Sequence, residues 1–409
     1  MSAHSLWWRL VPAYAAGYYL SYALRNVNAV ISPELSQAFA LSQSHLGLLT
    51  AAYFLAFGAI QLPLGVWLDR YGPRRVEVAL LVVAAAGCAV FGLAQNLETL
   101  VLGRALIGLG VSACLMASFK AFSQWFPPER LPALNASIMV AGGIGVLSVS
   151  TPVAWALPFL GWRGLFGVIG LALLLAAAAI SRTPDGPTST PPPWDEQWRI
   201  LKAIYRHPDF WRYAPQGALV AGGAMALQGL WMVPWLMGVN GMTREEAAHI
   251  ALIVGVTMLS GFLMVATLSN WLHARGWTAP VLLRRGIALG LVAELCIIMD
   301  LLPPVVAWPM FGFSFSLTNI AYSLLCRSFE VHWAGRVNTA LNLAVFAGAF
   351  GLQWGLGAGI QALESLDWNP SQALHGALAT LWCAQAASFA WFARPHAKRV
   401  GAIHQDLNQ

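Results

Sequence analysis

The chain has 409 residues, of which 58% are hydrophobic and 10% charged, and its formal net charge is +6. Soluble domains carry about 25% charged residues. This composition, with a mean hydropathy of +0.62, excludes a water-soluble domain and places the chain in a bilayer.

The opening MSAHSLWWRL lacks the basic region and cleavage site of a signal peptide, so the first apolar segment is expected to direct insertion. Apolar runs divided by short polar breaks then predict twelve spans, at 10–31, 44–68, 77–95, 98–124, 133–158, 162–180, 210–238, 246–271, 279–302, 304–326, 337–362 and 372–393. The first span contains an arginine. At ~1.5 Å per residue, Arg25 lies roughly 20 Å along it, near mid-depth. A cation there costs on the order of 3 kcal/mol and is kept where it faces a water-filled cavity or an anion. Tyr14, Tyr18, Tyr22 and Arg25 follow at helical spacing and share one face. The plain alternative is an arginine bonded to neighbouring helix carbonyls. Asn26 and Asn28 flank Arg25 and are placed to orient it or a ligand; in the second span Tyr53, Phe57 and Gln61 share a face.

The stretch SRTPDGPTSTPPPW (181–194) is a Pro/Ser/Thr linker with no means of packing a core. In the DEQWRILKAIYRHP that follows, Trp198, Leu201, Ile204 and Tyr205 fall on one face, predicting a short amphipathic helix on the membrane surface. The expected division is an N-terminal six-helix bundle at 1–180, a linker at 181–208, and a C-terminal six-helix bundle with its tail at 209–409. Beyond the linker, Gln228, Trp231, Asn319 and Asn342 are candidate cavity residues, because lipid offers polar groups no partner. Tryptophan suits the interfacial belt equally. Glu294 reads as the one carboxylate well inside a span and as a candidate proton carrier.

The halves also echo each other. LDRYGPRR follows span 2 and LHARGWTAP follows span 8; ERLPALNASIMVAGGIG enters span 5 and GRVNTALNLAVFAGAFG enters span 11. Arg130 pairs with Arg336 at an offset of 206 residues. An all-α membrane protein of two six-helix bundles related by a pseudo-repeat follows, with its site at the midplane between them. With the N-terminus inside, only Arg163 and Arg244 of the 23 Lys and Arg residues fall outside, and Arg25, Arg104 and Lys120 lie within spans. That bias predicts two cytoplasmic termini. The five cysteines all lie in apolar segments and read as small core hydrophobes. No nucleotide-binding loop, metal-ligand cluster or catalytic triad stands out, so no enzyme, cofactor, metal or nucleic-acid partner is expected.

These stretches resemble the major facilitator superfamily over essentially the whole chain. GVWLDRYGPRR (65–75) is similar to its cytoplasmic loop motif between helices 2 and 3. The resemblance implies a gating role for Gly65, Asp69, Arg70, Arg74 and Arg75, with Gly65 permitting close helix approach and Asp69 latching the halves. In the second copy Ser269 and His273 replace these two, which degrades the latch. LGRALIGLG (102–110) resembles the helix 4 motif, with Arg104 in a structural or coupling role; GWRGLF and WFPPER are common structural features. Arg130 and Arg336 are grouped with the gating residues. YYLSYALRNVNAV resembles helix 1 of the family's organic-anion transporters, where an arginine contacts substrate. SFKAFSQWFPPER puts Lys120 where those groups often carry a second cation.

The resemblance thus implies a small organic anion, bound by Arg25 and Lys120 with Tyr18, Tyr22, Asn26 and Tyr53, and carried by alternating access across a bacterial inner membrane. Departures bear on coupling. Leu24 and Val111 stand where the symporters carry carboxylates, so exchange against a counter-anion or facilitated diffusion is as open as coupling to an ion; Ala226 stands where phosphate-ester exchangers carry an arginine. Helix 5 lacks the Gly-Pro motif of drug exchangers. Efflux of amphipathic compounds and a ligand sensor on a transporter fold remain as alternatives. A monomer among membrane lipids is expected.

Overall fold

The computed structural model describes residues 3–127, 130–149, 151–186, 194–330 and 333–394. Residues 187–193 of the linker, 128–129 of the WFPPER run and the 395–409 tail lie outside the described residues. Among the described residues every regular element is a helix, and the helices line up into twelve columns. The first six are α1 (Ala3–Phe39); α2 (Gln43–Ala59) with α3 (Gln61–Tyr71); α4 (Pro73–Gly92); α5 (Leu97–Gly110) with α6 (Cys114–Trp125); α7 (Leu131–Ser148) with the first turns of α8 (Thr151–Ser181); and the rest of α8. After α9 (Trp194–Arg206), the seventh column joins α10 (Pro208–Gln216), α11 (Gly222–Ala226) and α12 (Met232–Gly238) through two π-helical turns. The last five are α13 (Arg244–Ala274); α14 (Ala279–Ile298); α15 (Pro304–Thr318) with α16 (Ile320–Cys326); α17 (Ala334–Glu364); and α18 (Pro370–Ala393).

Among the described residues six helical stretches, one of them Pro152–Ser181 of α8, are long and apolar enough to cross a membrane by themselves, and α2–α3 makes a seventh across a 55° bend. The others carry polar groups, such as Arg25, Asn26 and Asn28 in α1 and Arg284, Arg285 and Glu294 in α14. The columns form two six-helix bundles. One core runs through α1–α8 and takes in Phe346 and Ala349 of α17; a second gathers later helices with Ala29 of α1 and Leu46 of α2, and a third lies among the helices from α9 on.

Helix breaks decide where polar backbone sits. The predicted 98–124 span is interrupted between α5 and α6, which frees carbonyls that lipid cannot satisfy. Side chains do so instead: Ser21 Oγ donates to the Val111 carbonyl at 3.3 Å and Gln61 Nε2 to that of Ser112 at 3.3 Å. In the seventh column Gln385 Nε2 donates to the Leu219 carbonyl at 3.2 Å within the first π turn. Such turns recur at functional sites. The predicted boundary between spans 5 and 6 falls at Gly161, whose φ of 63° kinks α8. Four of the five cysteines are buried or half-buried and Cys383 is exposed; all five are free.

The amphipathic face of α9 differs from the expectation. Ile200 and Ile204 are buried against α14, α16 and α17 residues, with Leu201 and Tyr205 partly covered. Trp198 is 61% exposed and leaves the packed face. The helix is rotated toward its aliphatic residues because the core there accepts aliphatic volume and Trp198 keeps its ring outside.

Candidate functional site

Arg25 lies where the two bundles meet. It retains 9% exposure, and its guanidinium sits 4.6 Å from the Tyr22 ring, 5.3 Å from Phe57 and 5.6 Å from Phe346. The rings come from α1, α2 and α17. Phe57 and Phe346 meet across the bundle boundary at 4.4 Å, and Tyr18 packs edge-on to Tyr22 at 4.9 Å. Tyr18, Tyr22 and Tyr53 are close enough to interact electrostatically with the guanidinium, as is Tyr322 from α16. The Tyr322 hydroxyl donates to Asn342 Oδ1 at 2.8 Å. Among the described residues no carboxylate pairs with Arg25, and its Nε has no hydrogen-bond partner. Aromatic faces stabilise a cation by ~0.5–2 kcal/mol each, and the Tyr53 hydroxyl is the polar side chain that meets the guanidinium.

Second-rank contacts fix this group. Arg104, fully buried, donates to the Leu24 carbonyl at 2.9 Å, one residue before Arg25, and lies 5.0 Å from the Tyr53 ring. The Tyr53 hydroxyl donates to the Ser21 carbonyl at 3.3 Å. Arg104 therefore holds the backbone from which Arg25 projects.

The remaining candidates are used elsewhere. Asn26 donates to its own helix at the Tyr22 carbonyl, 2.9 Å away. Trp231 is buried and donates to the Gln353 carbonyl at 3.2 Å. Gln228 approaches the Met258 sulfur and lines a small void with Trp308 and Phe311. Asn319 reaches the Ser316 carbonyl at 3.5 Å. Lys120, expected to bracket an anion with Arg25, lies nine residues beyond the Val111 carbonyl that faces Ser21, so ~13 Å down the column. Its ammonium is paired with Asp69 instead.

That pair belongs to the end where α1 begins, the basic end. There Arg74 pairs with Asp185 and donates to the Thr183 carbonyl at 2.9 Å, and Arg75 stands 3.7 Å from Asp185. Asp69 was expected to latch the halves, yet its partner is in the same half. The close approach expected at Gly65 is not made by the described residues either: none of them lies within 4 Å of where its Cβ would be. Arg70 lies near its neighbour Tyr71, Arg130 is exposed and Arg336 half-buried. At the opposite, far end the bundles are tied together. Arg244 of α13 makes a two-pronged pair with Glu34 of α1 and donates to the Val30 carbonyl at 2.9 Å. Trp354 Nε1 donates to Ser44 Oγ at 3.3 Å. A Cβ on Gly357 would stand 2.4 Å from the Gln43 carbonyl, so only glycine lets α17 lie this close to α2.

Three features were not read from the sequence. Phe346 could have been found four residues after Asn342, on the same helix face. The Glu34–Arg244 pair was signalled only by how few arginines lie at that end. Glu294 is buried, in a void it lines with Ser314, Thr318 and Gln385, but it is not the one interior carboxylate: Glu77, placed at a span edge, is fully buried too. Burial by neighbouring helices cannot be read from one helix's hydropathy.

The sequence profile of the Major Facilitator Superfamily matches residues 14–352, and the chain belongs to that family, whose members are transporters and not enzymes. It is similar to a hexuronate transporter of Escherichia coli K12, 27% identical over 172 residues that cover 42% of this chain and 40% of that protein. A galacturonate transporter of Dickeya chrysanthemi is 27% identical over 170 residues, covering 42% of this chain and 49% of the relative. The matched segments thus span less than half of either relative. A solved D-xylose-proton symporter shares the fold, with a TM-score of 0.76 at 15% identity over 95% of this chain and 98% of that one.

Proposed function

We propose that this chain is a secondary transporter of a small organic anion, a carboxylate, working by alternating access with Arg25 as the anion site. One observation carries this reading: a buried guanidinium at the contact of both bundles, ringed by aromatics and without a carboxylate partner among the described residues. Relatives named for hexuronate and galacturonate, both carboxylates, support the same class. The arginine-rich end is read as cytoplasmic by the positive-inside rule, in a bacterial inner membrane with both termini inside. The Glu34–Arg244 pair then closes the outer face, and the Asp69, Arg70, Arg74, Arg75, Arg130 and Arg336 group serves the inner gate. A bidentate Arg25–carboxylate contact, forming as Phe57 and Phe346 part, gives the substrate a handle on both bundles.

A thermal-shift screen of purified protein against carboxylates, phosphates, sugars and cationic amphiphiles tests this, repeated with Arg25→Ala. A ligand that binds only the native state stabilises it by ~2.7 kcal/mol at about a hundredfold over its dissociation constant. A carboxylate that shifts wild type and not the variant is the expected result. Equal shifts of both proteins by uncharged or cationic compounds would make Arg25 structural and favour efflux.

A further inference from the structure

Glu77 stands in the second turn of α4 and is fully buried. Among the described residues the one hydrogen-bond partner its carboxyl finds is the weak thiol donor of Cys114. Among the described residues the surrounding elements bring no cation to it. Arg74, one turn earlier, directs its guanidinium to Asp185 and to the Ser181 and Thr183 carbonyls. Asp69 of α3 and Lys120 of α6 satisfy each other, and Arg104 of α5 is given to the Leu24 carbonyl. On α8, Arg163 donates to the Ala94 carbonyl and the exposed Arg182 to that of Ala178. What faces Glu77 is the thiol of Cys114 from α6 and, from α1, the bare backbone of Gly17 between Tyr14 and Tyr18. A Cβ on Gly17 would stand 2.6 Å from Glu77 Oε1. Glycine leaves that space to the carboxyl.

We infer that Glu77 is a proton-binding site whose occupancy sets the position of α1, and hence of Arg25. An ionised carboxylate is costly out of water without a cation, whereas the neutral acid needs a single acceptor. One proton taken up on a carboxylate oxygen lets α1 close on Gly17; its return to water requires the α1–α4–α6 contact to open. Such opening moves the helix that carries Tyr18, Tyr22 and Arg25, so proton and anion act on one lever and cross together. The coupling rests on the anion-carrier reading above; the proton site itself does not.

Infrared difference spectra of the full-length protein between acidic and alkaline buffer, with no ligand present, test the site. Wild type should show a carboxylic-acid C=O band that disappears on alkalinisation. E77Q should lose that band and E294Q should keep it; a band unchanged in E77Q, or no band in wild type, overturns the proposal. Should E77Q fail to fold, E77D should move the band, and an unmoved band overturns it equally. In proteoliposomes with galacturonate as probe, wild type should alkalinise the outside on uptake, and E77Q should lose this at least tenfold while galacturonate counterflow persists. Uptake without proton movement in wild type overturns the coupling. No galacturonate uptake at all strikes the substrate reading and leaves the infrared result standing.

Discussion

The two ends of the molecule are held by different kinds of contact. At the far end, a two-pronged ion pair, a Trp354–Ser44 hydrogen bond and glycine-permitted helix contact all join one bundle to the other. At the basic end, of the ion pairs between described residues, Asp69–Lys120 stays within the first bundle and Arg74–Asp185 ties that bundle to the start of the linker. Charge is far more abundant at the basic end, yet among the described residues the ion pair that joins the two bundles is at the far end. What ties the bundles is which helices the contacts join, not how many charges are present. Arg25, over rings from both bundles, lies between the two ends.

The largest break in this comparison should come at Arg25. Arg25→Ala removes the proposed partner of the anion and is expected to cost about 2–5 kcal/mol of binding, roughly thirtyfold to a few thousandfold in Kd, by isothermal titration with the carboxylate found in the screen. Arg25→Lys keeps the charge but loses the planar fork, so it should recover only part of that affinity.

Next in size is the far end's close contact. Gly357→Ala pushes a methyl into the Gln43 carbonyl and should cost the closed state about 1–3 kcal/mol. Spin-label distances across that end should lengthen. Glu34→Gln removes the charge from a pair whose side chains are 29% and 27% exposed. Its effect should be smaller, about 1 kcal/mol, a shift of roughly fivefold between closed and open populations. An unchanged distance distribution in both variants would mean that the far end is closed by other contacts. Smallest of all, Asp69→Asn should alter melting by less than about 1 kcal/mol, because both partners are about a quarter to a third exposed, and should leave far-end distances alone. A large lengthening there would show that the basic end does hold the bundles together.

Much of the architecture was legible in the sequence because lipid leaves the backbone few options. Twelve apolar runs became twelve helical columns, and the boundary between the fifth and sixth fell at Gly161. The breaks inside columns were not legible. Nothing in Val111–Ala113 marks an interruption, since the residues that satisfy it, Ser21 and Gln61, lie on other helices. The site divides the same way. Arg25, Tyr18 and Tyr22 share a helix, and periodicity groups them; Tyr53 and Asn342 were singled out as polar groups in apolar surroundings. Phe346 looked like any core aromatic, and Lys120 like a cation in want of an anion, until Asp69 from another helix was found beside it. Side chains whose meaning depends on a neighbouring helix are those a single sequence hides.

Proteoliposome uptake of a labelled hexuronate beside its uncharged parent hexose, in wild type and Arg25→Ala, tests the central claim most directly. An anion carrier built on Arg25 takes up the hexuronate, ignores the hexose and loses uptake in the variant. Equal uptake of hexose and hexuronate, unaffected by Arg25→Ala, would contradict it.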